Sequence, residues 1–140
     1  MCLTFLSVLI MISLFAGSAT AITNGSKDAE NHPYVCIVAF YDASGNPLWY
    51  TTGALISPDV VLTSGHGTSG AAKAKVWFLT YIDETVYTQS TCEGIPITNP
   101  DYSGISIKNA LPTYISHDVG IVKLSTKVEN IVPATLPTVG

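Results

Sequence analysis

The stretch ALISPDVVLTSGH, residues 54–66, combines the end of one strand, a tight turn and a second short strand. Ser-Pro-Asp is typical turn chemistry, and Val-Val-Leu-Thr is apolar and rich in β-branched residues. The second strand ends among small residues around His66, one of three histidines in the chain. A histidine that moves protons needs room for a substrate and for a partner group. Ser64, Gly65 and Gly67 therefore predict open space on one side of His66.

The amino-terminal segment has the pattern of a secretion signal. It carries no charged side chain, is apolar from Leu3 to Phe15, and closes on small residues at Ala19 and Ala21. The apolar run is about 13 residues long, whereas a membrane span needs roughly 20. We therefore expect residues 1–21 to be a signal peptide and residues 22–140 to be one mature domain of a secreted, extracellular protein.

The charge of the chain argues against two classes of partner. Six basic and ten acidic residues leave a net charge of −4, and all of them follow the predicted signal peptide. Because no basic cluster is present, neither nucleic acid nor an anionic membrane surface is an expected partner. No membrane association is expected beyond the signal peptide itself.

Two cysteines remain in the mature domain, and their state is open from sequence. Cys36 and Cys92 would enter an oxidising compartment, where they either form one disulfide or stay as two buried thiols. The sequence Asn24-Gly25-Ser26 is a glycosylation sequon in a eukaryotic protein and is equally well a turn.

Six segments of β-branched and aromatic residues alternate with turn chemistry, and none has convincing helical periodicity. They cover residues 34–40, 48–56, 60–63, 73–82, 86–98 and 119–124. The gap at residues 99–118 is rich in Pro, Gly, Asn and Ser, and predicts a loop that is either functional or loosely ordered. Closure of six antiparallel strands would remove exposed edges, so the pattern predicts a small all-β barrel or sandwich.

Three blocks of the chain resemble trypsin-like (chymotrypsin-family) serine proteases, in that family's order. Residues 54–66 are similar to the block that leads to the catalytic histidine. HDVGIVKL, residues 117–124, is similar to the block that carries the catalytic aspartate, and residues 22–40 are similar to the mature amino terminus. The resemblance implies an all-β, six-stranded antiparallel Greek-key barrel, the first of the two barrels of such a protease. It covers only the first half of a full protease domain.

The resemblance also implies roles for two residues in a Ser-His-Asp mechanism. His66 would be the general base that takes the serine proton and returns it to the leaving amine. Asp118 would hold the other ring nitrogen, which sets the tautomer and stabilises the imidazolium. The implied substrate is a protein or peptide, and no cofactor or metal is expected.

Three further positions have weaker interpretations. His117 adjoins Asp118, and we expect it to be structural because neighbouring residues on a strand point to opposite faces. His32 lies in Asn-His-Pro-Tyr and is also expected to be structural. In the family, the new ammonium at the position of Ile22 pairs with an aspartate beside the catalytic serine. Signal cleavage would expose Ile22 directly, which suggests that no separate zymogen segment exists.

The family's nucleophile motif, Gly-Asp-Ser-Gly-Gly, does not occur between Met1 and Gly140. In the family that motif lies on the second barrel, with the oxyanion amides and the specificity pocket. The serines that are present lie in loops or near strand ends. Ser64 is two residues from His66 and is not expected to reach the cleft-facing nitrogen as an aligned nucleophile. A base without a nucleophile and oxyanion donors performs no acyl transfer, so the chain alone is expected to be inactive.

A second departure from the family concerns a disulfide. Relatives usually bridge a cysteine before Gly-x-Leu-Ile to one after the catalytic histidine, and these places hold Thr51 and Gly67 here. Cys36 and Cys92 match neither place. The loop would lose a constraint of about 3 kcal/mol, and we expect His66 to be held less firmly than in bridged relatives.

Two hypotheses follow from the sequence. The first is the amino-terminal half of a secreted serine-type endopeptidase whose nucleophile lies in sequence outside these residues. The alternative is a non-catalytic secreted protease-like β-barrel that acts as a binding protein.

Overall fold

The computed structural model describes residue 28 and residues 31–79, 91–104, 107–108, 111–112 and 116–138. The predicted signal peptide, Ile22 and Asn24 lie outside the described residues. So do residues 80–82 and 86–90, which were predicted to extend two of the strands.

The described residues form eight strands and one short helix. In chain order they are β1 (Val35–Tyr41), β2 (Pro47–Ser57), β3 (Val60–Thr63), α1 (Gly65–Thr68), β4 (Lys73–Trp77), β5 (Cys92–Thr98), β6 (Ile107–Lys108), β7 (Leu111–Pro112) and β8 (Gly120–Leu124).

Six of these strands close into one barrel in the order β1-β2-β3-β8-β5-β4. Each neighbouring pair is antiparallel. The chain leaves β3, builds β4 and β5 on the far side, and returns as β8 between β3 and β5. This is a Greek-key connection, and it confirms the predicted six-stranded antiparallel all-β barrel.

The barrel core follows from the two-residue alternation of the strands. In β1, Cys36, Val38 and Phe40 are buried while the side chains between them are only partly covered. The same alternation runs through β8, where Val122 and Leu124 point inward. The buried cluster is completed by residues from the other strands: Leu55, Val61, Ala74, Val76 and Cys92.

The long gap predicted between the last two strands of the barrel contains secondary structure. Strands β6 and β7 pair antiparallel, with Ile107 opposite Pro112 and Lys108 opposite Leu111. An isolated bridge joins Ser103 to Ser116. The described part of the gap is therefore tied back on itself, which the turn-rich composition did not predict.

Cys36 and Cys92 are two free, buried thiols, the second of the alternatives left open by the sequence. Burial, together with the neighbouring Cys92 sulfur, raises the pKa of the Cys36 thiol to about 12. Burial also raises the pKa of Cys92. Because the thiolate is the reactive form of cysteine, both side chains act as apolar core residues.

Two features are absent from the described residues. None of their helices has the length and apolar character needed to cross a membrane. Nor does that part of the chain bring three or more His, Cys, Asp or Glu side chains together as a metal site.

Candidate active site

The pairing of β3 with β8 explains how His66 and Asp118 meet although 52 residues separate them. Thr63, the last residue of β3, pairs with Gly120, the first residue of β8. The chain just after β3 and the chain just before β8 therefore lie at the same end of the barrel. His66 follows Thr63 in the single turn of α1, and Asp118 precedes Gly120.

Asp118 holds His66 through two hydrogen bonds. The backbone N–H of His66 donates to Asp118 Oδ1 over 2.7 Å. Ring atom Nδ1 of His66 lies 2.8 Å from Asp118 Oδ2. One carboxylate thus fixes both the position of the turn and the orientation of the ring, and it leaves Nε2 as the ring nitrogen available to another group.

Both side chains are accessible from solvent. The His66 side chain is 57% exposed and the Asp118 side chain 32% exposed. The family mechanism uses a buried aspartate, whereas this carboxylate is partly open in the described structure. Water therefore screens the field of this carboxylate more than it would at a buried site, and the hydrogen-bond geometry is the main contribution of the contact.

The hydrogen bond from the His66 ring lowers the pKa of the Asp118 carboxyl below its usual 3.8, and the His66 backbone N–H lowers it further. A depressed carboxyl pKa stabilises the folded state above the unfolded pKa, and this contribution is lost as the pH falls through the folded value. We expect His66→Ala to raise the Asp118 pKa toward 3.8. Carboxyl ¹³C NMR across an acid titration measures this shift.

Asp59 is the internal control for that titration. Its pKa is lowered mainly by a hydrogen bond from Lys123 and then by one from Ser57, so His66→Ala should leave it unchanged. An Asp118 pKa that does not move in the variant would contradict the assigned cause.

The small residues around His66 serve a different purpose from the one predicted. Gly65 and Gly67 are buried and face packed neighbours. A Cβ on Gly65 would lie 3.0 Å from the Val119 amide nitrogen, and a Cβ on Gly67 would lie 3.2 Å from Phe40 Cε2. His66 does have an open side, since its side chain is 57% exposed, but the expectation that these glycines create the space was wrong. They allow the turn to press closely on the barrel, while His66 itself extends into solvent.

Gly120 allows the closest approach between α1 and β8. A Cβ there would lie 2.7 Å from Thr68 Cγ2 and 3.0 Å from the Ser64 carbonyl oxygen. Thr68 cannot easily move, because it is buried and its hydroxyl donates to Thr98 Oγ1 over 2.9 Å. We expect Gly120→Ala to lower the free energy of unfolding by about 1–3 kcal/mol through overpacking. Urea denaturation measures the loss.

Gly104→Ala is the matched control for this substitution. The only atom near its added Cβ would be the Tyr102 hydroxyl at 3.8 Å, which is ordinary contact. If Gly120→Ala and Gly104→Ala change the free energy of unfolding equally, the fold does not require a glycine where α1 approaches β8.

Ser64 lies nearer to His66 than its position in the sequence suggested. Its Oγ is 3.4 Å from His66 Nε2, and the expectation that Ser64 is not an aligned nucleophile stays a prediction. The contact is longer than the roughly 2.7–3.2 Å typical of a hydrogen bond between nitrogen and oxygen. A Cβ at Gly67 would lie 3.0 Å from the same Oγ, so the missing side chain at position 67 leaves the space that this hydroxyl uses.

Thr51 and Gly67, the positions of the missing disulfide, are neighbours in space. A Cβ on Gly67 would lie 3.2 Å from Thr51 Cγ2. Sequence reasoning did not single out Trp49, two residues earlier on β2, whose indole N–H donates to the Gly67 carbonyl oxygen over 2.7 Å. Only the tertiary structure identifies this contact, because no motif links positions 49 and 67.

The other two histidines lie outside the His66–Asp118 pair. His32 Nδ1 is 2.7 Å from Asp28 Oδ1, and its ring packs edge-on against Tyr34. His117 is exposed and has a φ of 54°, a left-handed conformation for which histidine is enriched. Strand alternation does not separate it from Asp118, because β8 begins only at Gly120.

The closed Greek-key barrel is the fold of the trypsin-like barrels. Two solved structures share it: HL collagenase, with a TM-score of 0.62 and 20% sequence identity, and GrC, with a TM-score of 0.57 and 22% identity. At these identities the likeness concerns the fold alone. Residues 22–140 match the Trypsin family model, and the chain therefore belongs to the trypsin family. No curated protein matches it.

The chain spans about half the length of both structures. The match to HL collagenase covers 84% of this chain and 48% of that one. The match to GrC covers 84% and 49% respectively.

Proposed function

We propose that this chain is the amino-terminal barrel of a secreted serine-type endopeptidase, in which His66 is the general base and Asp118 orients it. The nucleophile would be a serine outside residues 1–140, in the Gly-Asp-Ser-Gly-Gly setting of the family. The observation that carries the proposal is the double hydrogen bond of Asp118 to the ring and the backbone of His66. Membership of the trypsin family supports it.

The proposed reaction is hydrolysis of a peptide bond through an acyl-enzyme. The serine oxygen attacks the carbonyl carbon while its proton moves to His66 Nε2. The C–N bond then breaks, and the leaving amine takes that proton from Nε2. Water repeats the sequence with the same base and releases the carboxylic acid. Asp118 accepts the Nδ1–H bond throughout and stabilises the imidazolium that forms at each step.

The exposure of His66 supports the role of a base that meets a large substrate. More than half of its side chain is open to solvent, while the turn below it is packed on Phe40 and Val119. A ring fixed on one side and accessible on the other can accept a proton from a group brought by another part of the protein. Protein or peptide chains are the substrate class that the family implies.

A fluorophosphonate probe tests this proposal on the natural gene product. The probe forms a covalent bond to a serine oxygen that a neighbouring base has activated, with loss of fluoride. We expect one labelled serine, located by peptide mass spectrometry beyond residue 140, and no label after His66→Ala. Ser64→Ala is the control, and it should keep the label.

Two outcomes would overturn the proposal. A label on Ser64 would show that the nucleophile lies within this chain. No label on any natural form would favour the alternative, a non-catalytic secreted barrel that binds a partner.

A further inference from the structure

The indole of Trp49 is bonded to the turn that carries His66. Its Nε1–H donates to the Gly67 carbonyl oxygen over 2.7 Å, across 18 positions of sequence. Gly67 follows His66 directly and is buried. The hydrogen bond therefore joins β2 to the residue next to the proposed base.

The Gly67 carbonyl needs a partner from outside the helix. Because α1 is a single turn, its last carbonyl groups find no N–H donor within it. The Gly65 carbonyl is satisfied locally, since it accepts from the Ser69 amide over 2.9 Å. Trp49 supplies the donor for Gly67. A carbonyl that is buried without a donor is costly, so this bond holds the end of the turn in place.

The Trp49 hydrogen bond joins the same two segments, β2 and the His66 turn, that the missing disulfide would join. Residues two apart on a strand share a face, and Trp49 lies two residues before Thr51 on β2. Thr51 in turn adjoins Gly67, where its Cγ2 would be 3.2 Å from an added Cβ. The indole bond thus closes almost the same loop that relatives close with two cysteines.

The exposure of Trp49 indicates which part of the side chain matters. The residue is 42% exposed, which is unusual for so large an apolar group, while its polar N–H faces inward to the backbone. Burial of the ring is therefore incomplete, and the directed hydrogen bond is the specific contact.

We infer that Trp49 is a positioning residue for His66. The indole N–H of Trp49 replaces the family disulfide as the constraint on the His66 turn. The inference rests on the proposed function, because the position of that turn matters for catalysis only if His66 is the general base. It also makes the constraint reversible, since a hydrogen bond opens and closes whereas a disulfide does not.

Amide hydrogen exchange in the full chain, followed by NMR, tests the inference through Trp49→Phe, which keeps an aromatic ring and removes the donor. The His66 amide reports the site directly, because it donates to Asp118 Oδ1. We expect its exchange to become about tenfold faster, as loss of one hydrogen bond allows. The Leu55 amide, bonded to the Tyr34 carbonyl within the barrel, should keep its rate.

Two further variants separate positioning from general stability. Tyr50→Phe is the matched control: Tyr50 adjoins Trp49 on β2 and is 75% exposed, and its loss of a hydroxyl should leave the His66 amide unchanged. The pair Thr51→Cys and Gly67→Cys, oxidised in the Trp49→Phe background, should restore slow exchange at His66.

The inference is overturned if Trp49→Phe leaves the His66 amide unchanged, or if it accelerates the Leu55 amide equally. Should Trp49→Phe fail to fold, the unmodified chain decides: the Trp49 indole N–H should exchange about tenfold more slowly than a free indole, and an equal rate refutes the bond. None of these readouts needs a nucleophile, so the inference about Trp49 and the proposed function can fail independently of each other.

Discussion

If the proposed function holds, replacing His66 with alanine in the full-length gene product is expected to lower kcat for peptide hydrolysis by about 10⁶-fold, the scale seen when a triad base is removed. The serine proton would have no acceptor during attack, and the leaving amine would have no donor. Steady-state hydrolysis of a chromogenic peptide, with the enzyme concentration set by quantitative mass spectrometry, measures the loss.

His32→Ala is the control for this experiment. His32 is paired with Asp28 and has no proposed part in the chemistry, so its variant should stay within about twofold of the original rate. If His66→Ala keeps more than about a hundredth of the activity, another group acts as the base.

The second large effect is expected from Asp118→Asn, at about 10⁴-fold in kcat. The two hydrogen bonds of Asp118 predict why. An asparagine can keep Oδ1 on the His66 backbone N–H, and its amide nitrogen then faces the ring in place of Oδ2. The ring must accept at Nδ1 and carry its proton on Nε2, so it cannot take a proton from the serine.

Asp118→Ala separates the two functions of the carboxylate. It removes both hydrogen bonds, so the His66 amide should exchange faster, whereas Asp118→Asn should leave that amide protected despite the loss of activity. The assignment would be wrong if Asp118→Asn accelerated amide exchange as much as Asp118→Ala, or if it kept most of the activity.

Strand positions were predictable because each barrel strand carries its own local pattern. The predicted segment 60–63 coincides with β3, and the predicted segment 48–56 falls within β2. β-Branched residues bounded by turn chemistry report a local preference, which a single sequence displays directly. The short pair β6 and β7 has no such pattern and depends on contacts within its own loop.

The surroundings of His66 show where sequence reasoning fails. Small residues at 65 and 67 are equally compatible with an open cleft and with a tightly packed turn, and the structure has the second. Trp49 was missed, and the short distance between Ser64 and His66 was not anticipated, for a related reason. The distances from Ser64 Oγ to Nε2 and from the indole to the Gly67 carbonyl depend on how α1 is set against the barrel.

Sequence alone determined the barrel strands and the trypsin resemblance. It also supplied the proposed general base, His66, and its proposed partner, Asp118, because each of these features is encoded in its own contiguous stretch. Tertiary structure alone decided how those stretches meet. Antiparallel pairing of β3 with β8 brings residues 66 and 118 to one end of the barrel. His117, directly before Asp118, has a left-handed backbone conformation, and the glycines let α1 lie against β8. Register and close packing are properties of several segments at once, so no single stretch of sequence specifies them.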